Sequence, residues 1–246
     1  MYSIVSKVVG AVPKKIKEDV NFNLNIENLI DQTNDATKVI YIASPNNPTG
    51  TYLSRDQLVK LMNSISKNII VVIDGAYVEY VQKDDYDKGF SLTDEYENII
   101  LTRTFSKTYG LAALRVGWCY TSQKIADIIN KIKPPFNTTT ISQSLAIKAL
   151  EDKEHIENSV KLNSEIKDWF EKELKLLNIK TRQTEGNFTL IETSEEEAEK
   201  ISNHLMNDGI IIRRLNSYNL PNFLRISIGT KEEMNLTVES LKKFNV

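Results

Sequence analysis

Runs of consecutive apolar residues, each ending at a polar residue, constrain this chain more than any other feature. They are Val39-Ile40-Tyr41-Ile42-Ala43, Ile69-Ile70-Val71-Val72-Ile73 and Ile99-Ile100-Leu101-Thr102, with Val116-Gly117-Trp118-Cys119-Tyr120 as a fourth. Most are rich in β-branched side chains, which favour strands. Apolar and polar residues do not alternate along them, which predicts strands buried on both faces of a sheet covered by helices. Between the first two, Ser54 and Gln57 form a capping box. Leu58, Leu61, Met62 and Ile65 follow at helical spacing. The expectation is an α/β domain with a mostly parallel sheet flanked by helices. Polar residues gather just past the strand ends, where open α/β sheets place ligands.

The second half reads differently. Pro134-Pro135 break the chain after a helical pattern at 124–133. A long helix is predicted over 155–177, with Val160, Ile166, Trp169, Phe170 and Leu174 facing inward. Strands at 188–191, 210–213 and 224–228 and helices at 194–206 and 231–244 complete a short mixed sheet with helices on one side. That is a small C-terminal α+β domain. The expected division is 1–150 and 151–246.

Composition narrows the function. A net charge of −2 leaves no basic excess for nucleic acid. One cysteine, Cys119, excludes an internal disulfide framework, and it is expected to be a buried strand residue. Two histidines, His155 and His204, both expected on exposed helix faces, supply neither a multi-histidine metal site nor an obvious Ser-His-Asp relay. No stretch reaches the ~20 apolar residues of a membrane span. The first 17 residues show no secretory pattern, so a cytoplasmic location is expected.

Asn47, Asp74 with Tyr77, residues 104–107 and Arg115 all stand at strand ends. A lysine among hydroxyls suits a Schiff base with a carbonyl. An arginine with nearby hydroxyls suits a phosphate. A carboxylate ending an apolar strand needs a partner, and a protonated ring nitrogen is one. Pyridoxal phosphate combines the aldehyde, the phosphate and the pyridine nitrogen. Singly, each residue has an ordinary reading as a turn, a helix cap or a surface charge; their order and spacing carry the assignment.

Ser44-Pro45-Asn46-Asn47-Pro48-Thr49-Gly50, Asp74-Gly75-Ala76-Tyr77, Thr104-Phe105-Ser106-Lys107 and Leu114-Arg115-Val116-Gly117 resemble the large-domain motifs of fold-type I aminotransferases. Leu224-Arg225-Ile226-Ser227-Ile228-Gly229-Thr230 is similar to their small-domain motif. Within that group the chain most resembles the histidinol-phosphate aminotransferases, and Gly209-Ile210-Ile211-Ile212-Arg213 supports that subfamily. The resemblance implies pyridoxal phosphate as cofactor, histidinol phosphate and glutamate/2-oxoglutarate as substrates, and a homodimer. It implies Lys107 as the Schiff-base lysine and proton carrier, and Asp74 as partner of the ring nitrogen. Asn47 and Tyr77 would hydrogen-bond the ring oxygen. Thr104, Ser106 and Arg115 would hold the cofactor phosphate. Arg225 would bind the substrate anion beside Asn47, with Arg213 as a second anchor. Gly75 stands where the family more often has a larger residue, and Asn187-Phe188 resembles a family turn near the substrate. An aromatic aminotransferase, a threonine-phosphate decarboxylase-like enzyme and a non-catalytic remnant are the alternatives.

The family has a region ahead of the part aligned with Met1-Tyr2-Ser3-Ile4. It carries an arm reaching the partner subunit, a small-residue phosphate loop and an aromatic ring that stacks on the cofactor. Before Asn47 the one glycine is Gly10, so that loop has no counterpart here. The expectation is an N-terminally truncated large domain with exposed apolar surface or an open sheet edge, and weak or absent turnover. Tyr2 is the residue placed to replace the stacking ring in part.

Overall fold

The computed structural model describes residues 2–244. The first half runs α1 (Tyr2–Val8), α2 (Ile26–Asp31), β1 (Val39–Ala43), α3 (Arg55–Ser64), β2 (Ile70–Asp74), α4 (Phe90–Glu95), β3 (Ile99–Thr104), β4 (Gly117–Thr121), α5 (Gln123–Ile132) and α6 (Thr140–Glu151). The second runs α7 (Lys153–Leu176), β5 (Lys180–Arg182), β6 (Phe188–Glu192), α8 (Glu195–Asn207), β7 (Arg213–Leu215), β8 (Leu220–Ser227) and α9 (Lys231–Phe244).

The first sheet has the order β1-β2-β3-β4. β1, β2 and β3 are parallel, and β4 returns antiparallel against β3. The α/β architecture is therefore as expected, with an antiparallel strand at one edge. Helix α3 starts where the capping box places it: Ser54 Oγ accepts from Gln57 N–H, and Gln57 Oε1 accepts from Ser54 N–H. Its Leu58, Leu61 and Met62 pack with Ile40, Ile42, Val71, Ile73, Ile99 and Leu101 in one core.

Burial on both faces does not hold for β1. Ile40 and Ile42 are buried, while Val39 and Tyr41 are exposed. Successive strand residues point to opposite faces, and α2 and α3 cover only one of them. The other end of the sheet is more open still. Cys119 is exposed, contrary to its expected burial, because β4 pairs only with β3. α5 buries none of its residues, and Ile128 and Ile132 lie open, as do Ile141 and Ile147 of α6. These faces match the expected uncovered apolar surface.

The second sheet has the order β5-β6-β8-β7, and its pairings are antiparallel throughout rather than mixed. Phe170 and Leu174 of α7, Ala198, Ile201 and Leu205 of α8, and Met234, Val238 and Leu241 of α9 bury against Ile191, Leu224 and Ile226. Two strand expectations shift. Ile210-Ile211-Ile212 form no strand, and β7 begins only at Arg213. β5 adds a strand beyond those expected, since Lys180-Thr181-Arg182 carries no apolar signal. His204 is half-buried rather than exposed, its ring Nε2 2.9 Å from Ser240 O.

Candidate active site

The strand-end loops of the first sheet meet the second sheet through Asn47 with Arg225 and Tyr77 with Phe188. The loop after β1 is pinned from both sides. Asn46 N–H donates to Thr51 O at 2.7 Å and Gly50 N–H to Asn46 O at 2.8 Å, closing the turn. Glu185 N–H then donates to Gly50 O at 2.8 Å, tying the loop to the chain before β6. Gly50 has φ +77°, and a Cβ there would lie 2.6 Å from Thr184 Cα. Only glycine fits both conditions.

This turn presents Asn47 to β8. Arg225 donates from Nη1 to Asn47 Oδ1, which leaves the amide Nδ2 hydrogens of Asn47 for another acceptor. The Arg225 guanidinium carbon lies 5.2 Å from the centroid of the Phe188 ring. Phe188 in turn meets Tyr77 edge to face at 5.5 Å. Lys107 Nζ lies 5.3 Å from the centroid of the Tyr77 ring. Asn47, Arg225, Phe188, Tyr77 and Lys107 thus form one chain of contacts across the two sheets. Phe188, fully buried, is a member that the sequence marked only through its neighbouring turn.

Asp74 ends β2, beside Ala43 of β1 and Thr102 of β3 in register. One of its oxygens, Oδ2, accepts a 2.6 Å hydrogen bond from Tyr2 Oη. Burial, then the Asp74 carboxylate, push the Tyr2 hydroxyl well above the ordinary phenol range. That hydroxyl therefore stays a donor at neutral pH. Tyr2 lies on Tyr41, with ring centroids 5.0 Å apart and planes 9° apart.

Thr104 ends β3, and its Oγ1 accepts from Ser106 N–H at 3.1 Å, folding the backbone into a turn before Lys107. Thr104 pairs with Gly117, and Phe105 N–H donates to Val116 O at 3.3 Å. Arg115 sits in left-handed backbone, φ 51°, and donates from Nη1 to Ala112 O at 2.7 Å. Arg213 pairs with Arg225 across β7 and β8, exposed and without an ion pair among the described residues.

Near the strand-end loops, Gly75 makes room for a buried arginine. A Cβ at Gly75 would overlap the Arg103 guanidinium. Arg103 donates to Thr102 O and Lys88 O and lies beside the stacked Phe90 and Trp118 rings, 5.9 Å from each centroid. The smaller residue at position 75 therefore has a packing reason. A cavity of ≈ 720 Å³ lies along Phe22, Tyr52, Lys83 and Arg182 and touches the loop after β1 at Gly50, but Asn47, Asp74, Tyr77, Lys107, Arg115 and Arg225 do not line it.

The donor set fits pyridoxal phosphate. An amine, a carboxylate with one oxygen free of hydrogen bonds among the described residues, a phenol and an amide N–H₂ stand at or just past the ends of β1, β2 and β3. Arg225 Nε is buried and has no hydrogen-bond partner among the described residues.

The profile of the family "Aminotransferase class I and II" matches residues 1–241. The histidinol-phosphate aminotransferase of Pelagibacter ubique is 41% identical over 249 residues, covering 100% of this chain and 69% of that protein. The crystal structure of the histidinol-phosphate aminotransferase from Clostridium acetobutylicum has a TM-score of 0.92 at 23% identity, covering 99% of this chain and 74% of that one. The Sinorhizobium meliloti histidinol-phosphate aminotransferase, solved in complex with pyridoxal-5'-phosphate, has a TM-score of 0.90 at 24% identity, covering 99% and 68%. The chain spans about two thirds of the length of the curated relatives it matches. With the profile match and 41% identity across its length, this chain belongs to the class I and II aminotransferases, among their histidinol-phosphate aminotransferases.

Proposed function

We propose that the chain carries the pyridoxal-phosphate site of an enzyme that moves an amino group between L-histidinol phosphate and 2-oxoglutarate, a step of histidine biosynthesis. The observation that carries this is the Lys107–Tyr77–Phe188–Arg225–Asn47 chain of contacts, which links an amine to an anion anchor across the two sheets. It is supported by the names of the relatives at 34–41% identity.

When bound, pyridoxal phosphate supplies an aldehyde that takes up the amino group and a ring that accepts the electron pair left on the substrate carbon. Lys107 Nζ would hold the aldehyde and would move the proton to and from the substrate carbon. Asp74 keeps the ring nitrogen protonated through its charge. Tyr77 Oη and Asn47 Nδ2 donate to the ring oxygen and stabilise its anion. Thr104, Ser106 and Arg115 hold the phosphate by hydroxyl and guanidinium groups. Arg225 receives the substrate carboxylate or phosphate, with Arg213, its neighbour in register, as second anchor.

The two domains are 1–150 and 151–246, the working form is a homodimer, and the location is cytoplasmic. Among the described residues no helix is long and apolar enough to cross a membrane. The uncovered β4 edge and the bare faces of α5 and α6 support weak turnover by these 246 residues alone. Turnover near that of a complete relative would refute that part.

The test is incubation with pyridoxal phosphate, borohydride reduction and mass spectrometry. Modification confined to Lys107, and abolished by Lys107→Ala, is the expected result. Scattered or absent modification would overturn the assignment.

A further inference from the structure

Asp74 stands at the end of β2, and a carboxylate there has a broad terminal torsion. Its one side-chain hydrogen-bond partner among the described residues is Tyr2, at 2.6 Å to Oδ2. Tyr2 is itself fixed. Its ring lies flat on Tyr41, and Ser6 Oγ donates to its carbonyl at 2.9 Å. Tyr41 belongs to β1, the strand whose Ala43 pairs with Asp74. The phenol and the carboxylate it holds are thus braced by the same pair of strands. A short O–H···O⁻ bond of this kind is charge-assisted and directional. It occupies one oxygen and leaves Oδ1 unengaged.

We infer that Tyr2 is a positioning residue for Asp74: its phenol holds Oδ2 so that Oδ1 is left to meet the ring nitrogen of the cofactor. The inference rests on the proposed pyridoxal-phosphate site. It differs from a stacking role, because the Tyr2 ring is already stacked on Tyr41 and reaches the site through its hydroxyl. It also differs from a plug, in which the phenol would compete with the ring nitrogen for Asp74.

Tyr2→Phe separates these. It keeps the ring on Tyr41 and removes only the hydroxyl, and α1 contributes no buried residue whose loss would threaten the fold. The full chain and the variant are titrated with pyridoxal phosphate, followed by the induced circular dichroism of the bound cofactor and by borohydride trapping. The expected result is about tenfold weaker binding. The dichroism per bound cofactor falls as the ring loses its fixed angle, and trapping stays at Lys107. Unchanged binding and dichroism would overturn the inference alone. Tighter binding would overturn it in favour of a plug. An unsubstituted chain that shows no trapping at Lys107 would overturn the proposed function and this inference with it.

Discussion

Arg225 of β8 donates from Nη1 to Oδ1 of Asn47, a residue 178 positions earlier in the loop after β1. This bond joins the two sheets. Asn47 takes up one of its nitrogens, Nη1, and Nε is buried without a partner among the described residues.

Arg225→Lys keeps the charge and loses the fork. Cofactor trapping at Lys107 is expected to survive. Glutamate should then need about 10- to 100-fold higher concentration to change the absorbance of the bound cofactor, the loss expected for hydrogen bonds to a charged group. An unchanged half-saturation point would remove Arg225 from the substrate site.

Gly50→Ala tests the close approach of the loop after β1 to the chain before β6. The left-handed backbone at φ +77° and the approach to Thr184 oppose a side chain together. A loss of about 2 kcal/mol or more in urea unfolding is expected. A loss under about 0.5 kcal/mol would show that the loop moves freely away from Thr184.

Glu192 of β6 faces Lys180 of β5 in register, with Nζ 2.9 Å from Oε2, and Arg182 Nη2 donates to Oε1 at 3.1 Å. Burial pulls its carboxyl up, but the hydrogen bonds and charges of Lys180 and Arg182 outweigh that and hold it below 4.5. Its contribution is therefore present above the ordinary carboxylate range and lost as pH falls through the lowered folded value. Glu192→Gln should cost about 1 kcal/mol at neutral pH, and the gap to the parent should close on acidification. A gap that persists at low pH would assign the effect to packing instead of charge.

Cys119 on the β4 edge is exposed. Iodoacetamide should label it in the native chain without denaturant. Protection that disappears only on unfolding would show that the β4 face is covered in solution.

Local pattern carried much of the fold. The apolar runs marked β1, β2 and β3 because a strand in a covered sheet must be apolar along its length. Ser54 and Gln57 marked the start of α3 because the cap is made within four residues. Lys180-Thr181-Arg182 stayed unread because its pairing with Glu192 and Leu190 comes from across the sheet, with no apolar mark of its own. Cys119 and Tyr41 were misjudged for a related reason. An apolar strand says that it prefers cover, while the layers actually packed on it decide which face receives any.

The chemistry divides the same way. Residue type and order along the chain were enough to name Asn47, Asp74, Tyr77, Lys107 and Arg115 as candidates, because the turn after each strand is set by its own few residues; Arg225, inside β8, was named through the family resemblance. Packing alone decided that Phe188 links Tyr77 to Arg225, that Gly75 admits the Arg103 guanidinium, and that Tyr2 reaches Asp74. Those partners lie far apart in sequence, and only the closing of one sheet against the other, or of a short helix onto β1, brings their atoms within hydrogen-bonding or van der Waals range.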